Sequence, residues 1–330
     1  MPAFLVSLST AFALLIGAAA PAGAAPAGRA SFPARVFAPY VYVQQDPTFP
    51  IVKASNATGG KFFTLAFVND QGACQAGWDS GIALSSGFPS QAVQQLRAKG
   101  GDVIVSFGGA GGTELARSCP TVAKLRAQYQ AVVNRYHLTR VDFDIEGNAT
   151  LADTAATARR NRAIAAMQRA AHAAGKTLRV QFTLAVDRNG LPAVQRNLLK
   201  NAVSNGVQVG TVNLMVMDYF DPNHLDMLQN AKDSANAAFQ QLHQIFPNKT
   251  PAQRWAMIGL TPMIGENDDP DEVFSLDDAH GLLSFAKSNG AGLIGFWSAS
   301  RDQACAGRAS DQCSGVDQSK YEFAKVFVDF

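Results

Sequence analysis

Eight short runs rich in Val, Ile and Phe, each followed by a longer segment rich in Ala, Gln and Leu, restrict the fold of this chain more than any other feature. The runs span 36–43, 62–68, 102–108, 140–147, 178–186, 211–219, 254–261 and 292–298. Helical stretches are expected at 90–99, 121–136, 153–174, 192–204, 225–245 and 277–288, with 319–328 closing the chain, while the first crossover, 45–61, reads as short and poorly helical. Pro120-Thr121 and Ser275-Leu276-Asp277-Asp278 suit helix starts, and Lys99-Gly100 and Asn289-Gly290 suit helix ends. Strand then helix, eight times over about 300 residues, is the pattern of a (β/α)8 barrel. A doubly wound open sheet would need a glycine-rich turn after its first strand, and the chain offers Gln44-Gln45-Asp46-Pro47 there. No linker or repeat divides the 330 residues, so one α/β TIM-barrel domain is the expectation.

Composition removes several function classes. Charged residues are only 16% and hydrophobic ones 47%, which excludes a disordered chain or a coiled coil. With 28 Lys plus Arg against 26 Asp plus Glu the net charge is +2, so no strong field exists to hold nucleic acid or an acidic membrane. No Cys-x-x-Cys or His-x-x-x-His pair supports a zinc site, and no metal is expected. The stretch from Phe4 to Ala20 is almost wholly apolar, Pro21-Ala22-Gly23-Ala24 follows, and the first charge is Arg29. This reads as a secretory signal over residues 1–24, leaving 25–330 as the barrel with no membrane contact after cleavage. A retained anchor is the competing reading, since about 17 apolar residues can just cross a bilayer. Export permits disulfides, and four cysteines allow three pairings. Cys74 and Cys119 fall in the loops after strands two and three, neighbours in a barrel, and Cys305 with Cys313 closes a short loop, so these two bridges are expected.

The chemistry concentrates in Val141-Asp142-Phe143-Asp144-Ile145-Glu146-Gly147. Alternate residues of a strand share a face, so the three acids point one way and Val141, Phe143 and Ile145 the other. The apolar set packs on helices, which turns Asp142, Asp144 and Glu146 into the barrel, each about 6 to 7 Å from the next. Like charges buried so closely are relieved when one or more stays protonated, and a carboxylic acid kept neutral is what a general acid must be. Glu146 lies at the C-terminal end of its strand, where barrel active sites are built. A solvated edge strand or a structural calcium site are the bland alternatives, and the intervening apolar residues argue against exposure.

The segment resembles the fourth-strand signature of family 18 glycoside hydrolases, the chitinase family, Asp-x-x-Asp-x-Asp-x-Glu. Asp142, Asp144 and Glu146 fill its last three acidic positions, and Thr139 stands where its first Asp would be. Three further segments match in order: Val105-Ser106-Phe107-Gly108-Gly109 resembles the family's Ser-x-Gly-Gly, Leu214-Met215-Val216-Met217-Asp218-Tyr219 its strand-six motif, and Gly295-Phe296-Trp297-Ser298 its strand-eight Trp. The resemblance, closest to bacterial members, implies that Glu146 protonates the glycosidic oxygen, Asp144 holds the substrate's N-acetyl group, and Asp142 shares protons with Asp144. Tyr219 or Asp218 would position the acetamide, although many members place Tyr before the Asp, where this chain has Met217. Trp297, whose flat face suits a pyranose, would floor the subsite, and Met215 and Tyr40 complete the expected substrate-binding set. Gly108-Gly109-Ala110-Gly111-Gly112 fits neither phosphate-binding fingerprint and reads as tight turns. Asp268-Asp269-Pro270-Asp271-Glu272 reads as a solvated acidic loop, with calcium as the other reading.

What the resemblance implies is a chitinase that needs no cofactor and cleaves β-1,4 N-acetylglucosamine linkages in chitin or chitooligosaccharides with retention; with the leader, a secreted monomer is expected. An endo-β-N-acetylglucosaminidase acting on N-glycans and a non-hydrolytic chitin-binding lectin are the alternatives, and the presence of Glu146 speaks against the second. About thirty residues separate strands seven and eight and include a helix, too few for the α+β domain that many exo-acting members insert there. An open groove and endo action are expected.

Overall fold

The computed structural model describes residues 31–43, 49–87 and 89–330, together with residue 1. The expected signal over 1–24 and Gln44 to Pro47 lie outside the described residues. Strand β1 is in two pieces, Val36–Phe37 and Tyr40–Tyr42, and is followed by β2 Phe62–Asp70, β3 Asp102–Gly108, β4 Arg140–Asp144, β5 Arg179–Ala185, β6 Val209–Met215, β7 Ile258–Thr261 and β8 Leu293–Ile294. Each pairs in parallel with the next from β2 to β8. The break in β1 closes the barrel: its first piece pairs with β8 and its second with β2. Helices Ile51–Thr58, Ser90–Ala98, Val122–Arg135, Thr154–Ala173, Ala193–Ser204, Met227–Ile245 and Leu276–Asn289 occupy the successive crossovers, so the fold is the expected (β/α)8 barrel.

The outward faces of the strands make the core. Phe107 of β3 stacks on Phe143 of β4 with centroids 5.2 Å apart, and Tyr129 from the helix Val122–Arg135 meets both edge-on at 4.9 and 5.1 Å. Burial of such aromatics stabilises by roughly 1.5–3 kcal/mol each. It also fixes the inward direction of Asp142 and Asp144, because neighbours on a strand point to opposite faces.

Several boundaries differ from expectation. The crossover 45–61 carries an eight-residue helix, Ile51–Thr58, closed by Gly59 in the left-handed region at φ 81°. Strand β7 begins at Ile258 and not at Arg254, because Pro251–Met257 is helical. There the Thr250 side chain accepts the Gln253 N–H, Gln253 returns the bond to the Thr250 N–H, and Pro251 follows the cap, a strong local start. Strands β4 and β6 stop at Asp144 and Met215, so Glu146, Asp218 and Tyr219 sit on loops at the C-terminal face. Between β7 and β8 the chain forms only the antiparallel pair Gly265–Glu266 with Val273–Phe274 and the helix Leu276–Asn289, with no inserted domain. Both expected disulfides are formed, Cys74–Cys119 and Cys305–Cys313. Among the described residues no helix is long and apolar enough to cross a membrane.

Candidate active site

Asp142 is fully buried and accepts three hydroxyl hydrogen bonds, from Ser106 of β3 at 2.6 Å, Thr183 of β5 at 2.8 Å and Tyr40 of β1 at 3.0 Å. Asn213 of β6 donates to Tyr40 at 3.2 Å and to Thr183 at 3.0 Å, and Thr261 of β7 donates to Asn213 at 2.9 Å. Six strands thus supply one polar layer with Asp142 at its centre. Burial raises the Asp142 carboxyl from its ordinary range, and the bonds from Ser106, Thr183 and Tyr40 oppose that rise.

One pleat above, Asp144 is 4% exposed, and its Oδ1 is buried without a hydrogen-bond partner among the described residues. Burial first, then the charges of Glu146 and Asp142, push its carboxyl well above the usual carboxylate range. An orphan buried acceptor costs about 1–3 kcal/mol. The backbone approaches closely here. Asp144 O accepts the Gly109 N–H at 3.0 Å, and a Cβ on Gly108, whose φ is 105°, would lie 2.0 Å from that same oxygen. The glycine run therefore lets β3 press against the acid-bearing end of β4.

Glu146 sits just past the strand at the mouth. Burial, then the charges of Asp218 and Asp268, raise its carboxyl to about 7. An acid with that value is substantially protonated at neutral pH, as donation to a leaving group requires. The general acid must carry its proton, and that proton is lost as pH rises through the folded value. The rate is therefore expected to fall on an alkaline limb centred near pH 7, read from kcat/KM between pH 4 and 9; a profile flat to pH 9 would remove Glu146 from the acid role.

A cavity of about 270 Å³ opens over these groups. Of the expected residues, Asp144, Glu146, Met215, Asp218, Trp297 and Tyr40 line it. Half-buried Trp297 stacks on Phe67 at 5.8 Å and meets Tyr42 at 5.4 Å. Asp218 has its carboxyl raised to about 6, chiefly by burial and by the charges of Asp268 and Glu272 against the hydrogen bond from the Asp268 backbone. Tyr219 does not join the cavity. Asp218 takes a left-handed conformation at φ 51°, the chain turns, and the Tyr219 hydroxyl lies 3.1 Å from Ser234 on the helix Met227–Ile245. Met217 lines the cavity in the neighbouring position.

Sequence reading missed Phe67, Tyr42, Asp268 and Asp311, all of which also line the cavity. Phe67 carries no signal beyond an apolar strand, and Asp311 arrives on the disulfide loop far along the chain. The acidic loop 268–272 is not merely solvated: Glu272 is fully buried and accepts the N–H groups of Tyr219 at 2.8 Å and Asp221 at 3.3 Å. No cluster of His, Cys, Asp or Glu suited to a metal ion occurs among the described residues.

No family model matches the chain. It is 33% identical over 315 residues to a probable bifunctional chitinase/lysozyme of Escherichia coli strain K12, which covers 91% of this chain and 35% of that protein. It is 34% identical over 283 residues to endochitinase 11 of Metarhizium anisopliae, covering 82% of this chain and 53% of that protein. The chain thus spans about a third to a half of the length of these relatives. The catalytic domain of a hyperthermophilic chitinase from Pyrococcus furiosus superposes with a TM-score of 0.82 at 34% identity, covering 91% of this chain and 96% of that one. Catalytic-site mutants of active domain 2 of a chitinase from that organism, complexed with chito-oligosaccharides, match with the same score at 33% identity. The barrel, its buried carboxylates stacked toward the C-terminal mouth, and relatives of this closeness place the chain with the catalytic domains of glycoside hydrolases. The chain belongs to family 18, the chitinases.

Proposed function

We propose that this protein is a secreted, endo-acting chitinase that hydrolyses β-1,4 N-acetylglucosamine linkages by a retaining, substrate-assisted mechanism. The observation that carries the reading is the unpartnered, buried Oδ1 of Asp144 on the cavity wall, beside an acid held at about 7. The N–H of a substrate acetamide would supply the missing partner. The acetamide carbonyl oxygen then attacks the anomeric carbon while Glu146 gives its proton to the departing glycosidic oxygen. Asp144 stabilises the positive oxazolinium ring that results. The Glu146 carboxylate next takes a proton from water, whose oxygen adds to the anomeric carbon and reopens the ring on the original face. Two displacements give retention, by the substrate-assisted exception to the two-carboxylate scheme. Asp142 shares protons with Asp144 from the layer below, Asp218 positions the acetamide, and Trp297 floors the subsite.

The apolar leader and two disulfides support residues 1–24 as a signal and 25–330 as the exported barrel. The short segment between β7 and β8 supports an open groove and entry in the middle of a chain. The test is viscosity of a soluble chitin derivative against reducing ends released. Viscosity should fall early; preserved viscosity with dimer as nearly the sole first product would contradict endo action, and no release from any chitin substrate would remove the functional reading.

A further inference from the structure

Two left-handed residues that are not glycine, Asp218 and Phe220, each at φ 51°, lie three and five residues past the end of the strand that supports the cavity. Such a conformation is strained for a residue that carries a Cβ and persists only where surrounding contacts over-determine it. The backbone contacts that do so come from one other loop, the segment after β7. Asn267 Oδ1 accepts the Asp218 N–H at 3.2 Å, and Glu272 accepts the N–H groups of Tyr219 and Asp221. Asn267 is itself fixed, its amide donating to Met263 O and Gly265 O at 3.1 Å each. The Asp268 N–H donates to Asp218 Oδ1 at 2.9 Å, so the loop holds the carboxyl as well as the backbone. Asn267 is 7% exposed and Glu272 fully buried, which keeps water from competing. Neither residue lines the cavity.

We propose that Asn267 and Glu272 are positioning residues that hold Asp218 toward the substrate by carrying the backbone of residues 218–221. The proposal rests on the functional reading above for its catalytic consequence, though the placement of Asp218 it describes does not. Released from these two side chains, Asp218 relaxes to an ordinary backbone conformation and turns its carboxyl away from Glu146. The acetamide then loses its orientation where transition-state geometry matters most, and Glu146 loses one of the two charges that hold its proton, the other being Asp268.

Glu272→Gln keeps the volume but offers one acceptor where two N–H groups point, and Asn267→Ala removes the acceptor for Asp218. With chitopentaose, kcat should fall by about tenfold or more with KM within about threefold, the signature of lost orientation rather than lost binding. The alkaline limb should move to lower pH in the same variants as the Asp218 charge leaves Glu146, with an unchanged melting temperature showing that the packing that buries Glu146 is kept. Folding is checked by a cooperative melt. If Glu272→Gln does not fold, Asn267→Ala decides by the same readouts, and failure of both to fold would count against the proposal, since the loop would then be a folding element. Carboxyl ¹³C titration needs no turnover: Asp218 should titrate below the parent's value of about 6 in Asn267→Ala. Unchanged kcat, limb and titration in a folded variant would overturn the proposal. An inactive parent with a shifted Asp218 titration would instead overturn the functional reading alone.

Discussion

Glu146→Gln is expected to lower turnover of chito-oligosaccharides by about 10²- to 10⁴-fold, the range that general acid catalysis contributes. The amide keeps the size of the side chain and its capacity to hydrogen-bond, but has no proton to give the leaving oxygen and cannot later activate water. Binding should survive, because the aromatic floor formed by Trp297, Phe67 and Tyr42 is untouched. Single-turnover rates with oligomer dissociation constants measured on the same variant separate the two. Equal rates for parent and variant would show that another group supplies the proton.

The second large effect concerns the substrate. If the acetamide oxygen is the nucleophile, a glucan of identical linkage has nothing with which to attack, and no side chain in the cavity is assigned that task. Cellohexaose should be inert and fully deacetylated chitosan nearly so, whereas a thiazoline analogue of the oxazolinium ring should inhibit as a transition-state-like ligand. Rapid cleavage of cellohexaose would mean that a side chain or water attacks without help from the acetamide, and would contradict substrate assistance.

How much of the fold and site is legible in the sequence depends on the kind of signal. Asp142, Asp144 and Glu146 are readable because a strand has a period of two, which puts the three acids on one face and Val141, Phe143 and Ile145 on the other, and because in a (β/α)8 barrel the apolar face packs on the helices and turns the acids inward. The barrel follows from eight such strands, and the bridge Cys74–Cys119 from the adjacency of loops two and three. The position of Tyr219 is not readable, because nothing in Met217-Asp218-Tyr219 announces a left-handed turn at an aspartate, which is a tertiary consequence of Asn267 and Glu272. The same loop resembles a solvated acidic stretch, since its sequence does not say that Glu272 is fully buried against two N–H donors. Helix Pro251–Met257 is hidden for a different reason: Thr250-Pro251-Ala252-Gln253 is a readable start, but the helix runs without a break into the apolar strand Ile258–Thr261 and the two read as one run.

The most direct measurement is the anomeric form of the first product. Hydrolysis of a chito-oligosaccharide followed by ¹H NMR within the first minutes, before mutarotation scrambles the signal, reports whether the bond is displaced once or twice. Two displacements on the same ring, by the acetamide oxygen and then by water, should form the new reducing end as the β anomer, which only later equilibrates. An initial α anomer would mean single inversion by water, and would contradict the proposed roles of the acetamide, Asp144 and Glu146.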